Sequence, residues 1–396
     1  MGILSDLFSG KHKREQAVDR LKTNAVALAL AGASILSPMK AFSHGTSKAP
    51  AEKAKTEQVD SVAKQIKFKD SRVQAAAKRM MKTPTGRKVL EGLHALNIDV
   101  TYDSSVSDDL GGFYSVPEKK ILLNSNCSED LLASILVHEG SHALQAANGC
   151  RVGPGLDMQT YFSLNKAMEA DAMKNQVFAA YELKEQGDKS VFTAFERDRP
   201  SLANAYLKLR ETYANQPDSL AKYTMLAYYK DYAYIKTYED RYVKAIDTFN
   251  DMAKPGIIGG AFQVHLSEAE IIKRVCQLDG KNYMQPADSV YLQSAECNYV
   301  QKSTYKRLLK IADKFAKKVD GSTFYKADNS YANMFVVDYN GKQVEGMPQP
   351  KPAPLTAGQK GSSDNGNPQN NPQQPIRPMP QRRRPTISRI PRRDGR

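Results

Sequence analysis

The sequence predicts an α+β fold: a small sheet-and-helix core, then a mainly helical region, then a tail without a fold of its own. Three observations predict it. Short alternating segments between residues 98 and 124 read as strands and lead into two long helical segments. From Ser190 to Lys318 almost every stretch carries helical periodicity. After Tyr339 no aromatic residue occurs, and 11 of the chain's 20 prolines lie from Met347 onward among Gln, Asn, Gly and Ser. Such a composition cannot bury enough apolar surface to fold.

Residues 1–45 read as a targeting segment. Basic residues from Lys11 to Lys22 precede the uncharged run Thr23 to Met39, whose apolar heart, Ala25 to Leu36, has signal-peptide length and is too short to span a bilayer. Pro38 breaks it, and Ala41-Phe42-Ser43 offers a small-x-small cleavage site. Export to a periplasmic or secreted location follows from this reading. The competing reading, an N-terminal helix of a cytoplasmic protein, draws on Glu15 and Asp19 in the basic stretch. Residues 46–70 are a polar, Lys-rich linker. The core is expected over 71–190. Ser71 to Lys82 and Pro84 to Leu96 read as helices, the second opened by Thr83-Pro84. Ile98, Val100 and Tyr102 alternate as a strand. Gly112 to Ser115 and Lys120 to Asn124 flank Val116-Pro117-Glu118-Lys119 as a hairpin.

The next segment carries the chemistry. Ser128 is placed to cap a helix that Glu129 and Asp130 favour through its dipole, and Asn148-Gly149 stops it. Inside lies His138-Glu139-Gly140-Ser141-His142, holding two of the chain's six histidines. Positions i and i+4 share a helical face, so His138 and His142 can hold one metal ion while Glu139 reaches a water on its open side. Gly140 costs about 1 kcal/mol against alanine in mid-helix, a broken local rule of the kind found at functional sites. The bland alternative is a pair of ordinary core or surface histidines.

A third ligand must come from elsewhere. Gln145 and Asn148 stand where a metzincin needs Gly and His. The next acids on a helical segment are Glu169 and Asp171. Two residues apart, they point about 200° apart and cannot both face one ion. Glu169 shares a face with Asn165 and, nearly, Phe162 and Met173. Asp171 shares a side with Ala167, Lys174 and Asn175 that reads as more solvated, with Lys174 available to pair with it.

From Gly111 to Leu183 the chain resembles a gluzincin-type zinc metallopeptidase core, and is most similar to small bacterial metallopeptidase domains. The resemblance rests on Gly111-Gly112-Phe113-Tyr114, on His138 to Gln145, and on Glu169-Ala170-Asp171-Ala172. It implies a zincin-like core, Zn2+ held by His138, His142 and Glu169, and Glu139 as general base. It covers under a quarter of the chain and leaves the substrate open. In zincins a substrate peptide lies as a strand along a sheet edge, the part that the hairpin would play here.

Other features are weighed against this reading. Hydrophobic residues make up 41% of the chain, enough for one sizeable core. The net charge is +14, of which +8 falls in 341–396, with Arg382-Arg383-Arg384 and four further arginines at its end. This tail suits nucleic acid, an acidic membrane or an acidic partner, or it is a solubilising tail, and no interleaved aromatics point to base stacking. Cys127, Cys150, Cys276 and Cys297 are compatible with two disulfides or four thiols. A Cys127–Cys150 bridge is excluded, because the helix between them spans about 30 Å and a disulfide needs Cα atoms within about 7 Å. In 191–340, Tyr223, Tyr228, Tyr229, Tyr232, Tyr234, Tyr238 and Tyr242 cluster as a core edge, or as a groove wall with one oxyanion-stabilising hydroxyl. His265, just before the capping box Ser267 to Glu270, is a candidate catalytic assistant. No repeat, phosphate-cradling glycine loop or dinucleotide fingerprint is present. The function expected is a zinc peptidase acting on a peptide or protein substrate. Its rivals are a non-catalytic scaffold retaining the fold and a regulatory protease with one intracellular target.

Overall fold

The computed structural model describes residues 66, 68–106, 110–153, 155–252, 264–278, 280–318 and 330–347. The targeting segment, nearly all of the linker and the tail beyond Met347 lie outside the described residues. The chain separates into two units only after Pro352, and every described residue belongs to the first.

The fold is mixed α+β, mostly helical with small sheets. Asp70 caps α1 (Ser71–Met80), its Oδ1 accepting from the Arg72 and Val73 amides. Thr83 caps α2 (Pro84–Ala95), its Oγ1 accepting from the Gly86 amide. Three strands follow, β1 (Asp99–Asp103), β2 (Gly112–Ser115) and β3 (Lys120–Asn124), ordered β1-β3-β2. β1 runs parallel to β3, and β2 closes the expected hairpin antiparallel to β3 with Ser115 opposite Lys120. β1 and β2 are therefore the two edge strands, and β2 is the one that lines the cleft described below.

α3 (Glu129–Ala147) is capped by Ser128, as its sequence predicts, and stops at Asn148, with Gly149 at φ +83°. Gly140 owes its place to packing. A Cβ there would lie 2.4 Å from Val89 Cγ1 and 3.2 Å from Leu93 Cδ1, and a Cβ on Gly92 would lie 2.4 Å from Leu144 Cδ2. Each helix thus offers a glycine to a branched side chain of the other, and α2 and α3 cross closely.

α4 (Met158–Glu185) is the spine of the molecule. Its 28 residues span about 42 Å, and it is buried on most sides, with Leu164, Ala167, Ala170, Ala172 and Val177 fully enclosed. Around it pack α5 (Ser190–Asp198), α6 (Pro200–Tyr213), α7 (Pro217–Tyr228), α8 (Tyr232–Met252) and α9 (Glu268–Val275). The helical run is less continuous than its periodicity suggests. A two-stranded ribbon, β4 (Gln277–Leu278) and β5 (Lys281–Asn282), follows α9. After a short α10 (Ser289–Gln293), the buried strand β6 (Tyr299–Gln301) leads into α11 (Lys302–Lys318) and pairs in parallel with β7 (Phe335–Val337). Strands of two or three residues are too short to carry a readable alternation. The fold also runs past position 341: the Val344 amide donates to the Val336 carbonyl, and Met347 packs on the core.

One polar bridge fixes α4 to its surroundings. The Lys166 Nζ lies 2.7 Å from Glu239 Oε1 on α8, both side chains buried, and also donates to the Tyr299 carbonyl on β6. Glu239 Oε2 accepts from the Gln301 amide at 3.0 Å.

Candidate metal centre and active-site cleft

Helical spacing brings the two imidazoles together, and α4 brings the carboxylate to them. The Nε2 atoms of His138 and His142 lie 3.2 Å apart. His138 Nε2 is 3.4 Å from Glu169 Oε2, and His142 Nε2 is 3.4 Å from Glu169 Oε1. These separations are short enough for all three groups to contact one ion at about 2.0–2.2 Å. Glu169 Oε2 is buried without a hydrogen-bond donor, an unfavourable state for a carboxylate that a cation relieves. The residues fit a divalent metal, and among the described residues this is the grouping of His, Cys, Asp and Glu that could hold one.

In the metal-free protein these groups hold one another. Burial pushes the His142 imidazolium down, but the neighbouring Glu169 carboxylate outweighs it and raises the group to about 9. Burial raises Glu169, yet the two imidazoles pull it well below the usual carboxylate range. Glu139 is displaced upward, because its burial exceeds the help of the histidines. A backbone hydrogen bond from Tyr114 ties Glu139 to β2, and the missing side chain of Gly112 leaves it room, since a Cβ there would sit 3.2 Å from Glu139 Cγ.

Behind His142 runs a buried relay. Its Nδ1 lies 2.9 Å from Gln145 Oε1. The Gln145 amide nitrogen donates to the Met168 carbonyl at 3.0 Å and to Asp171 Oδ2 at 2.9 Å. Both partners only accept, so the nitrogen of Gln145 must face them and its oxygen must face His142. In its neutral, metal-binding form His142 then keeps its proton on Nδ1, and the Nε2 lone pair is the one that faces the cluster. Asp171 is anchored in turn by the Tyr283 hydroxyl at 2.8 Å and by Lys174 Nζ at 2.9 Å. The side of α4 that reads as solvated is therefore enclosed, with Asp171 and Lys174 each 1% exposed. Their charges are tolerated because they meet each other and because α3 and the 283 region supply further polar partners.

The structure brings His138, Glu139, His142 and Glu169 into one cleft and turns Asp171 away from it. It does not bring His265 there. His265 is half exposed, its Nδ1 2.7 Å from Asp157 Oδ2 at the N-cap of α4. That is twelve residues, or about 18 Å of helix, from Glu169. Its work is to fasten residues 264–266 to the start of α4, where the Val264 carbonyl also accepts from the Asp157 amide. The tyrosine cluster divides. Tyr228, Tyr229 and Tyr242 are core, whereas Tyr234 and Tyr238 are half-buried wall residues joined hydroxyl to hydroxyl at 3.0 Å. Two functional features escape the linear sequence. Arg241 follows Tyr238 by one turn into the cleft, and Gln145 was signalled only as a polar residue on a buried helix. All four cysteines are thiols, Cys150, Cys276 and Cys297 buried. Burial pushes the Cys150 and Cys297 thiols up to about 12.

The His-His-Glu cluster, with an adjacent buried carboxylate, opens to a cleft along a sheet edge and could hold a metal ion. Residues 50–284, more than half of the chain, match the model of the family described as "Putative metallopeptidase family (DUF6782)", and the chain belongs to that family. No curated protein and no solved structure matches it.

Proposed function

We propose that the protein is a zinc-dependent peptidase of the gluzincin type, with His138, His142 and Glu169 as metal ligands and Glu139 as general base. The observation that carries this is the set of 3.2–3.4 Å separations among the three ligand groups, beside a glutamate that follows the first histidine. Zinc held there would supply a Lewis acid for the scissile carbonyl and would lower the pKa of a bound water to about 7. Glu139 would take the water's proton and hand it to the leaving amine. The edge strand β2 lines the cleft through Gly112, Phe113 and Tyr114, and its unpaired edge orients a substrate peptide by main-chain hydrogen bonds. Tyr238 lines the same cleft and is the residue we assign to stabilising negative charge on the carbonyl oxygen.

The test is metal analysis by mass spectrometry beside peptide-library hydrolysis. Glu139→Gln is expected to keep one zinc per chain and to lose hydrolysis, and His138→Ala to lose both. Full hydrolysis by Glu139→Gln would refute the mechanism. A metal-loaded wild type that cleaves nothing would favour a scaffold role.

A further inference from the structure

We infer that this cleft takes a large apolar side chain, Leu or Phe in preference to Ala, on one flank of the scissile bond and not on the other, and that Ala146 and Met168 set the size it accepts. The inference rests on the peptidase reading and names its substrate class. The cleft divides into two chambers that share a wall including Gly112, His138, Glu139 and Tyr238. On α3, one chamber is lined by Leu131 and Ile135, ahead of this centre, and the other by His142 and Ala146, behind it. On α4, Met173 and Gln176 line the first, and Asn165 and Met168 the second. The strand β2 follows the same course, from Gly111 before it at the first chamber to Phe113 and Tyr114 at the second. A peptide laid along the β2 edge therefore passes from one chamber to the other across the metal cluster, and the two flanks of its scissile bond meet different walls.

The walls differ in chemistry. The chamber beyond His142 has a volume of about 260 Å³ and is lined mainly by apolar groups. Val116 and Pro117 come to it from the β2–β3 turn, Val152 from the segment after α3, Ala146 from α3 and Met168 from α4. The other chamber, of about 170 Å³, carries a greater share of polar groups, among them Gln176, Asp198, Arg199 and Thr237. An apolar cavity of about 150 Å³ is enough to hold a benzene molecule. The first chamber therefore has room for an aromatic ring and for part of the backbone that bears it. Arg151 and Arg241 also border it, and the methylene stems of such side chains are compatible with an apolar neighbour. Helical register ties this chamber to the metal ligands. Ala146 lies one turn after His142, and Met168 directly precedes Glu169, so the chamber opens about 6 Å along α3 from the first of them. That is within reach of the side chain next to the carbonyl under attack. Any residue larger than Ala146 takes its added volume from the chamber, whereas Met168, flexible and polarisable, adapts to what enters.

The experiment uses the full-length zinc-loaded protein and peptides identical except at the two positions flanking the cleaved bond, each filled in turn by Ala, Leu or Phe. At one flank, Leu or Phe is expected to raise kcat/KM over Ala by about 10- to 100-fold, the gain from burying such a side chain. At the other flank the same exchange is expected to change it by under about threefold, because a side chain in a polar chamber gains little. Ala146→Phe is expected to bring the Phe-to-Ala ratio at the selective flank close to one. Met168→Ala is expected to raise kcat/KM for naphthylalanine relative to Phe there. Zinc content by mass spectrometry and thermal midpoints verify that both variants keep their metal and fold, and Met168→Ala decides if Ala146→Phe does not. Equal preferences at both flanks, no preference at either, or a ratio that survives Ala146→Phe overturns the inference while leaving the peptidase reading intact. Failure of the wild type to cleave any peptide, together with failure of zinc-loaded Glu139→Gln to bind one in fluorescence anisotropy, overturns the peptidase reading itself, and this inference falls with it.

Discussion

Removing the Asp171 carboxylate separates metal positioning from stability. In Asp171→Ala, Gln145 loses one of the two acceptors that turn its oxygen towards His142, and Lys174 is left as a buried charge without its counter-ion. The first loss acts on the metal, since disturbing a group that orients a ligating histidine typically costs about 10- to 100-fold in affinity. The second acts on folding, since breaking one side of a buried ion pair costs about 3–5 kcal/mol. Adding Lys174→Met removes the stranded charge with a side chain of similar reach. Replacing both partners of a buried pair by apolar groups is often close to neutral. The double variant should therefore recover most of the lost stability in urea unfolding of the metal-free protein, yet still bind zinc about tenfold or more weakly in chelator competition. Zinc affinity that returns to the wild-type value together with stability would refute the relay, because Asp171 would then act only as the partner of Lys174.

Further outcomes follow from other contacts. Gly140→Ala forces a Cβ to 2.4 Å from Val89 Cγ1. Overpacking of about 1–3 kcal/mol should outweigh the gain in helix propensity, and adding Val89→Ala should relieve part of it in the same unfolding assay. In the metal-free protein, His142 is raised to about 9 from an ordinary value of about 6.5. Its pairing with Glu169 should thus stabilise the fold fully below pH ~6.5 and fade as pH rises through about 9. On the acid side, Glu169, held low, should keep its contribution above pH ~4.3 and lose it on further acidification. Zinc uptake at pH 7 should accordingly release about one proton from His142, read as a buffer-dependent heat in calorimetry. Cutting the chain after Pro352 should leave the thermal midpoint and any hydrolysis nearly unchanged. A cut after Gly346 should lower the midpoint modestly, because Met347 packs on the core.

Much of the site is legible in sequence because it is local. His138 and His142 are one turn apart on a helix whose caps, Ser128 and Asn148-Gly149, lie where expected. Helical rotation shows only that Glu169 and Asp171 cannot both face one ion; the resemblance points to Glu169, and the structure puts Glu169 beside the imidazoles. What is not legible depends on partners distant in the chain. Asp171 and Lys174 read as a solvated pair, because the Tyr283 hydroxyl that helps to bury them comes from 112 residues away. His265 resembled a catalytic assistant for the same reason, since its partner Asp157 is 108 residues distant. Gly140 was read as strain at a functional site, and its cause is a neighbouring helix. The divided tyrosine cluster shows the limit of composition, because Tyr238 and Tyr242 sit one turn apart yet differ in whether they reach the cleft.

The Lys166–Glu239 bridge bears on how small a working fragment of this enzyme can be. The family match ends at residue 284, which invites expression of that piece alone. Such a fragment would keep the ion pair but lose the Tyr299 carbonyl that takes the ammonium and the Gln301 amide that donates to Glu239. Both charges would then lie beside newly exposed, half-satisfied surface, on the same helix that presents Glu169 one turn away. The boundary that matters for producing an active protein is therefore set by β6 and its partner β7, close to residue 347, and lies some way beyond the last recognisable residue of the family.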